Sequence, residues 1–337
     1  GTGGTASAGT GGAGGAGSTI SYELDGDIAG TVFLDDGAAG SAGAAGDGTA
    51  GSGGAAGTVT LLLDGTTVTG ATTVGDDGDS TITTKTAAVT FSNNIGTAAK
   101  ALGTMDVDIA TTWHKNVYAD AFTVASVNAV FTGTTEQIVS GRMTGTGTLS
   151  IEADAIVNMT HTGSAHTVDA LTLAADAQTS LTINDKLIVT TDSGLTVGAD
   201  ANLVLGSGII DGETALEATH GNGLDIAADL TLKMPESFNS GTITLCEDCS
   251  KVSTSAAMGR VTVTDSILAT YTKVQATDKI NITAVKKSAA TIGAALGVTE
   301  EAATALDNAS TAAASDAAIA SLINSTLSAG GAGATEL

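Results

Sequence analysis

Cys246 and Cys249 stand in the run Cys-Glu-Asp-Cys, a spacing that fits half of a zinc site, a redox pair or a local disulfide. Zinc needs two further ligands, and the four histidines, His114, His161, His166 and His220, form no second cluster at the usual spacing. A disulfide closing a tight turn in an oxidising compartment is therefore the expectation. His161 and His166 are the nearest pair of nitrogen ligands; an offset of five puts them on opposite faces of a strand unless Gly163 turns the chain. Solvated turn histidines are the favoured reading. Asp76, Asp77 and Asp79, in Asp-Asp-Gly-Asp, offer oxygen ligands for a structural calcium ion, as does Asp25-Gly26-Asp27. Aspartate and glycine are also the ordinary residues of turns between strands, and that reading is preferred.

Nucleophilic chemistry finds little support. Gly78-Asp79-Ser80-Thr81 departs from a Gly-Asp-Ser-Gly protease run at its last residue, and the chain contains no Gly-x-Ser-x-Gly elbow. No phosphate-binding glycine motif lies between a plausible strand and helix. Paired carboxylates cannot be singled out among 36 acidic residues, and sugar-cleaving sites need aromatic platforms that a chain with 3% aromatics scarcely supplies. Trp113, His114, Tyr118 and Phe122 form the one aromatic-rich patch, read as the filling of a wide layer in preference to a ligand surface. No catalytic or cofactor-binding residue is expected, and the chain is not expected to be an enzyme.

The elements behind these residues are set by an unusual composition. The apolar fraction is 42%, yet it is mostly Ala, Val, Leu and Ile among Thr, Ser, Asp and 45 Gly. A core of small residues needs thin, closely stacked layers, which strand coils provide because each is covered by its neighbours. The single proline, Pro235, agrees with a chain that is mostly continuous strand pairing. A formal charge of -24 would repel phosphates, so nucleic acid is excluded as a partner. No run approaches the roughly 18 apolar residues that a spanning helix needs, so no transmembrane segment is expected. The start lacks the charged and apolar regions of a signal peptide, and the expectation is a chain whose export signal has been removed.

Three regions follow. Residues 1–57 hold 20 of the 45 glycines and no Lys or Arg, interrupted by the apolar pieces Ile20–Leu24 and Thr31–Leu34. From 58 to 285 short runs alternate Thr or Ser with aliphatic residues, as in Thr58–Leu63, Thr81–Thr83 and Thr242–Leu245, which are strands by period and β-branched content. Within this region a six-residue pattern running from Leu to Asp recurs as Leu149–Asp154, Leu171–Asp176, Leu195–Asp200 and Leu224–Asp229. Successive copies lie 22, 24 and 29 residues apart, close to one coil of a parallel β-helix. The leucines should stack up the interior while each Asp marks the same corner. Units this short cannot bury a core alone and become stable only by stacking. Residues 286–337 lose the alternation, and Thr299 before Glu300-Glu301 and Ser315 before Asp316 start two short Ala-rich helices.

This order, with Gly241-Thr-Ile-Thr-Leu245, the strand pair around Ser266–Tyr271 and Lys279–Ile282, then Gly297–Ala303 through Leu322–Asn324, resembles the passengers of bacterial autotransporters. The resemblance covers about 149–329 and rests on pattern and composition. It implies an exported surface protein of a Gram-negative bacterium, with a parallel β-helix, a strand-rich closing cap and an Ala-rich helical linker ahead of a membrane barrel. The barrel is absent from this sequence, and the Gly/Ala-rich first region departs from the family, which leaves surface-layer or matrix subunits as a second class.

The expectation is an all-β chain: a right-handed parallel β-helix or β-solenoid with a Gly/Ala-rich N-terminal segment and a short C-terminal α-helical tail. Its expected role is that of an extracellular structural protein, a subunit of a self-assembling surface layer, filament or matrix. Its main partner is then itself, because end coils carry unpaired backbone groups. The alternative is a monomeric autotransporter adhesin that displays a binding surface to a host or neighbouring cell. No cofactor is expected beyond the structural calcium already named.

Overall fold

A computed structural model describes residues 19–35, 41, 57–75, 77–191, 194–219, 224, 226–235, 237–247, 258–313, 323 and 327. The chain forms two compact units, one of Gly1–Val130 with Gln137–Gly145 and the other of Phe131–Glu136 with Thr146–Leu337. Both are parallel β-solenoids.

In the first unit the chain winds through β1 (Thr19–Leu24), β2 (Val32–Leu34), β3 (Thr58–Asp64), β4 (Thr67–Val68), β5 (Thr72–Val74), β6 (Ser80–Lys85) and β7 (Val89–Phe91). It continues through β8 (Leu102–Val107), β9 (Thr111–Trp113), β10 (Ala119–Val124), β11 (Asn128–Phe131, across the division), β12 (Gln137–Val139) and β13 (Arg142–Gly145). One face is the parallel sheet β1-β3-β6-β8-β10-β13, and a second contains β4-β7-β9. The third begins with β2-β5 and climbs through single parallel bridges, Thr72 to Ile95, Ile95 to Val117 and Val117 to Val139. Each coil thus turns three corners, visiting three faces before it returns to the first.

Period-2 alternation decides what these strands bury. Leu61, Ile82, Met105, Phe122 and Met143 are register partners in successive coils and form one inner column of buried side chains. Phe91 and Trp113 are paired on the second face, with rings stacked at 6.3 Å, and Phe122 meets Trp113 edge-on at 5.2 Å. Close coil contact demands glycine at Gly145, where φ is 140° and an added Cβ would lie 1.9 Å from the Val124 carbonyl oxygen. One corner is stitched by asparagines. The Asn116 N–H donates to Asn94 Oδ1 at 3.2 Å, and the Ile138 N–H donates to Asn116 Oδ1 at 2.8 Å.

The second unit runs through β14 (Thr148–Ile151), β15 (Ile156–Met159), β16 (His166–Val168), β17 (Ala170–Leu173), β18 (Ser180–Ile183), β19 (Leu187–Val189) and β20 (Leu195–Val197). There follow β21 (Ala201–Leu205), β22 (Thr214–Ala218), β23 (Leu230–Lys233), β24 (Gly241–Glu247), β25 (Val261–Val263), β26 (Ala269–Ala276) and β27 (Lys279–Lys286). Its three faces contain β14-β17-β20, β15-β18-β21-β23-β25 and β16-β19-β22-β24. Leu149 is in register with Leu171 and Leu171 with Leu195, and all three are buried. A second column runs Val157, Leu181, Leu203, Leu232, Val263.

On the face that contains β16-β19-β22-β24, parallel pairing stops at β24. There β27 adds antiparallel, β26 pairs antiparallel with β27, and the sheet ends. Among the described residues two helices follow: α1 (Ala289–Leu296) and α2 (Glu300–Ala313). The Ser288 hydroxyl accepts from the Thr291 N–H to start α1, and Gly297, in the left-handed region at φ 71°, ends it. Thr299 caps α2 by accepting from the Ala302 N–H at 3.3 Å. Ile292, Ala303 and Leu306 bury against Leu268 together with Ile323 and Leu327. This face therefore ends in a hairpin, and a small helical core gathers on Leu268. The helix expected at Ser315 lies outside the described residues.

Charge ties the hairpin to the last parallel coils. Lys279 of β27 holds Glu247 of β24, Thr214 donates to the same carboxylate at 3.3 Å, and Lys186 pairs with Glu217 at 2.5 Å. The Lys279 bond holds Glu247 below the ordinary glutamate value of 4.5, outweighing an upward push from burial, with Thr214 and Lys186 assisting. A carboxyl lowered in the native state binds its proton less well there than in the unfolded chain, so its stabilisation is complete above the ordinary glutamate range. That stabilisation is lost as pH falls through the lowered native value. In urea melts from neutral to acid pH, wild type should lose more stability than Lys279→Met across this window. Parallel curves for the two proteins would refute the assignment.

Candidate assembly interface at the first coil

The first coil of the first unit, β1, Ile28 and β2, has a coil on one side alone among the described residues. β1 pairs in parallel with β3 from Thr19 opposite Thr58 to Leu24 opposite Leu63, and β2 pairs with β5. Ile28 bridges to Val68, donating to the Thr67 carbonyl at 2.9 Å. In the β1 register Ile20, Tyr22 and Leu24 take the inward positions held in the next coil by the buried Val59, Leu61 and Leu63.

Those inward positions are not covered. Tyr22 heads the column of Leu61, Ile82, Met105 and Phe122, yet it is 55% exposed where Leu61 is 2%. Leu24 and Phe33 are also exposed, so three of the six large exposed apolar side chains among the described residues belong to this coil. They line an open cavity of about 270 Å³ with Ile20, Val32 and Leu34 on its walls and Val59 and Leu61 at its floor. A bare edge strand beside an apolar mouth is a template for another strand.

The residues singled out for chemistry are dispersed. Cys246 is buried in β24, in register with Leu216, and is disulfide-bonded; Cys249 lies outside the described residues. Asp77 accepts from the Ala101 N–H at 2.8 Å, a corner hydrogen bond between coils. Asp120 is pushed up, first by burial and then by the charge of Asp77. Asp76 lies outside the described residues. Among the described residues no group of three or more His, Cys, Asp or Glu could hold a metal ion.

His161 and His166 do meet, with ring centroids 5.7 Å apart, because Gly163 turns the chain at φ 93°. His166 is buried in the core, and His161 shares a hydrogen bond with Ser164 at 2.9 Å. Ser80 is buried in β6 opposite Val59, facing inward. Asp154 and Asp200 both occupy the left-handed region at φ 65° in corresponding corners, whereas Asp176 accepts from the Gln178 N–H at 2.7 Å. Asp229 accepts through its carbonyl from the Asp200 N–H at 3.1 Å. Leu224 is buried.

The open coil was not singled out residue by residue from the sequence. Its apolar pieces stand among glycines and show their parity only against β3. Among the described residues no helix is long and apolar enough to cross a membrane. Comparison of the chain with protein-family models, with curated proteins and with solved structures finds no match.

Proposed function

We propose that this chain is an extracellular structural protein, a self-assembling subunit of a surface layer, filament or matrix. The observation that carries the reading is the first coil, where a strand edge that no described residue pairs adjoins exposed Tyr22, Leu24 and Phe33. A solenoid stabilised coil on coil gains from covering its last layer, and a second protein surface supplies that layer. The role involves no catalysis and no cofactor. The acidic surface, with a net charge of -24, suits a solvated protein outside the cell.

A second reading draws on the closing hairpin β26-β27 and the helices behind it, an order like that of autotransporter passengers at a Gram-negative cell surface. In that reading the chain is a monomeric adhesin that presents its coils to a host or neighbouring cell. Electron microscopy and light scattering of the native protein separate the two. Regular particles of many copies are the expected result, and a monomer at every concentration would overturn the assembly reading.

A further inference from the structure

We infer that the first coil takes a second copy of this chain, β1 pairing antiparallel with β1 about a two-fold axis through Tyr22, an inference that rests on the assembly reading and names its contact. β1 ends its sheet with β3 as its neighbour, and its other edge carries main-chain donors and acceptors that no described residue pairs. Edge strands that stay single usually carry lysine, proline or a bulge. β1, Thr-Ile-Ser-Tyr-Glu-Leu, carries none of the three, its one charge being Glu23.

The occupant follows from what adjoins the mouth. Residues 1–18 precede β1 in the sequence, and 36–56 follow Asp35, which lines the cavity. Neither stretch contains Val, Leu, Ile, Met or an aromatic residue, so neither has side chains to fill an apolar cavity. Ordering such glycine-rich chain is also the costliest ordering in conformational entropy. A second copy brings the same apolar residues on an already formed coil.

The register is set by parity. Residues directly opposite in an antiparallel pair share a face, so the inward set Ile20, Tyr22 and Leu24 meets its own kind when Tyr22 opposes Tyr22. Ile20 of each copy then faces Leu24 of the other, and Glu23 faces Ser21, which avoids a direct clash of carboxylates. A two-fold axis normal to the sheet keeps the interior side interior and reverses the coil axis, so the two cavities face each other. The contact is isologous and closed, so it joins copies in pairs, and particles of more than two copies require a second contact elsewhere on the chain. Glu23, Asp25, Asp27 and Asp35 around the mouth repel their counterparts, so added salt should strengthen the pairing.

The full chain is tested as wild type, Tyr22→Lys, Tyr22→Cys and Ser21→Cys. Sedimentation velocity should show a wild-type association whose dissociation constant rises at least tenfold in Tyr22→Lys, with the circular dichroism spectrum unchanged. Under mild oxidation Tyr22→Cys should give a disulfide-linked dimer and Ser21→Cys should not. Large particles whose size and stability ignore Tyr22→Lys would overturn the pairing and leave the assembly reading standing. A Tyr22→Cys dimer without larger particles would uphold the pairing and overturn the polymer. Equal cross-linking at 21 and 22 would overturn the register, and a monomeric, uncrosslinked chain would overturn both.

Discussion

Replacing Trp113 with alanine should remove about 3–5 kcal/mol from the first unit, the usual cost of deleting a fully buried large aromatic side chain. Trp113 is completely buried, stacked on Phe91 one coil away and met edge-on by Phe122. Such ring pairs add about 0.5–1.5 kcal/mol each beyond the area they bury. Because each coil contacts only its neighbours, the loss should be local at first, producing an early transition in urea by circular dichroism ahead of the remaining unfolding. Trp113→Phe keeps a ring between Phe91 and Phe122 and should recover most of the loss. A cost below about 1 kcal/mol for the alanine variant would mean that the coils do not close around this side chain.

The same cluster shows how far sequence carries. Trp113, His114, Tyr118 and Phe122 stand out as neighbours in the chain, but alternation sorts them: Trp113 and Phe122 face the core while His114 and Tyr118 are half-exposed. Phe91 belongs to the cluster and was missed, because its tie to Trp113 is one coil of register and not proximity in sequence. Leu149, Leu171 and Leu195 were visible because their coils are nearly equal in length, so a period survives in the sequence.

Where coil length varies, the period disappears. Thr19 pairs with Thr58 across a long glycine-rich excursion, so composition set 1–57 apart although β1 and β2 are built into the coils. The helix α1 was hidden for a different reason. Ser288 and Gly297 mark its ends, but Thr291, Ile292 and Gly293 between them are poor helix formers, and the packing of Ile292 against Leu268 selects the helix. The meeting of His161 with His166 depends on one left-handed glycine, a conformation that sequence allows without requiring. The open coil is a matter of what is missing next to it. Ile20, Tyr22 and Leu24 look like those of any other strand until the register with β3 shows that they hold inward positions, whereas exposed Phe33 lies opposite Thr73, an outward position of β5.

Leu171→Asp should be the most damaging single change in the second unit, abolishing cooperative unfolding of the coils that contain it. Leu171 lies between Leu149 and Leu195 in an inner column and is 1% exposed. The substitution deletes a buried aliphatic side chain, which alone costs about 2–5 kcal/mol. It then places a carboxyl among leucines with no cation in the column, adding the burial of a polar or charged group. Neighbouring coils cannot relieve the strain by moving apart, because each is hydrogen-bonded to the next along three faces. Thr172→Asp supplies the comparison. Thr172 is the next residue of β17, pairs with Ser150 and Thr196, and faces outward, so an added carboxylate there should change stability by about 0.5 kcal/mol or less. Limited proteolysis and circular dichroism of the two variants read the difference directly. Solenoid inside and outside differ at adjacent residues, and equal tolerance of aspartate at 171 and 172 would be incompatible with leucines stacked coil upon coil.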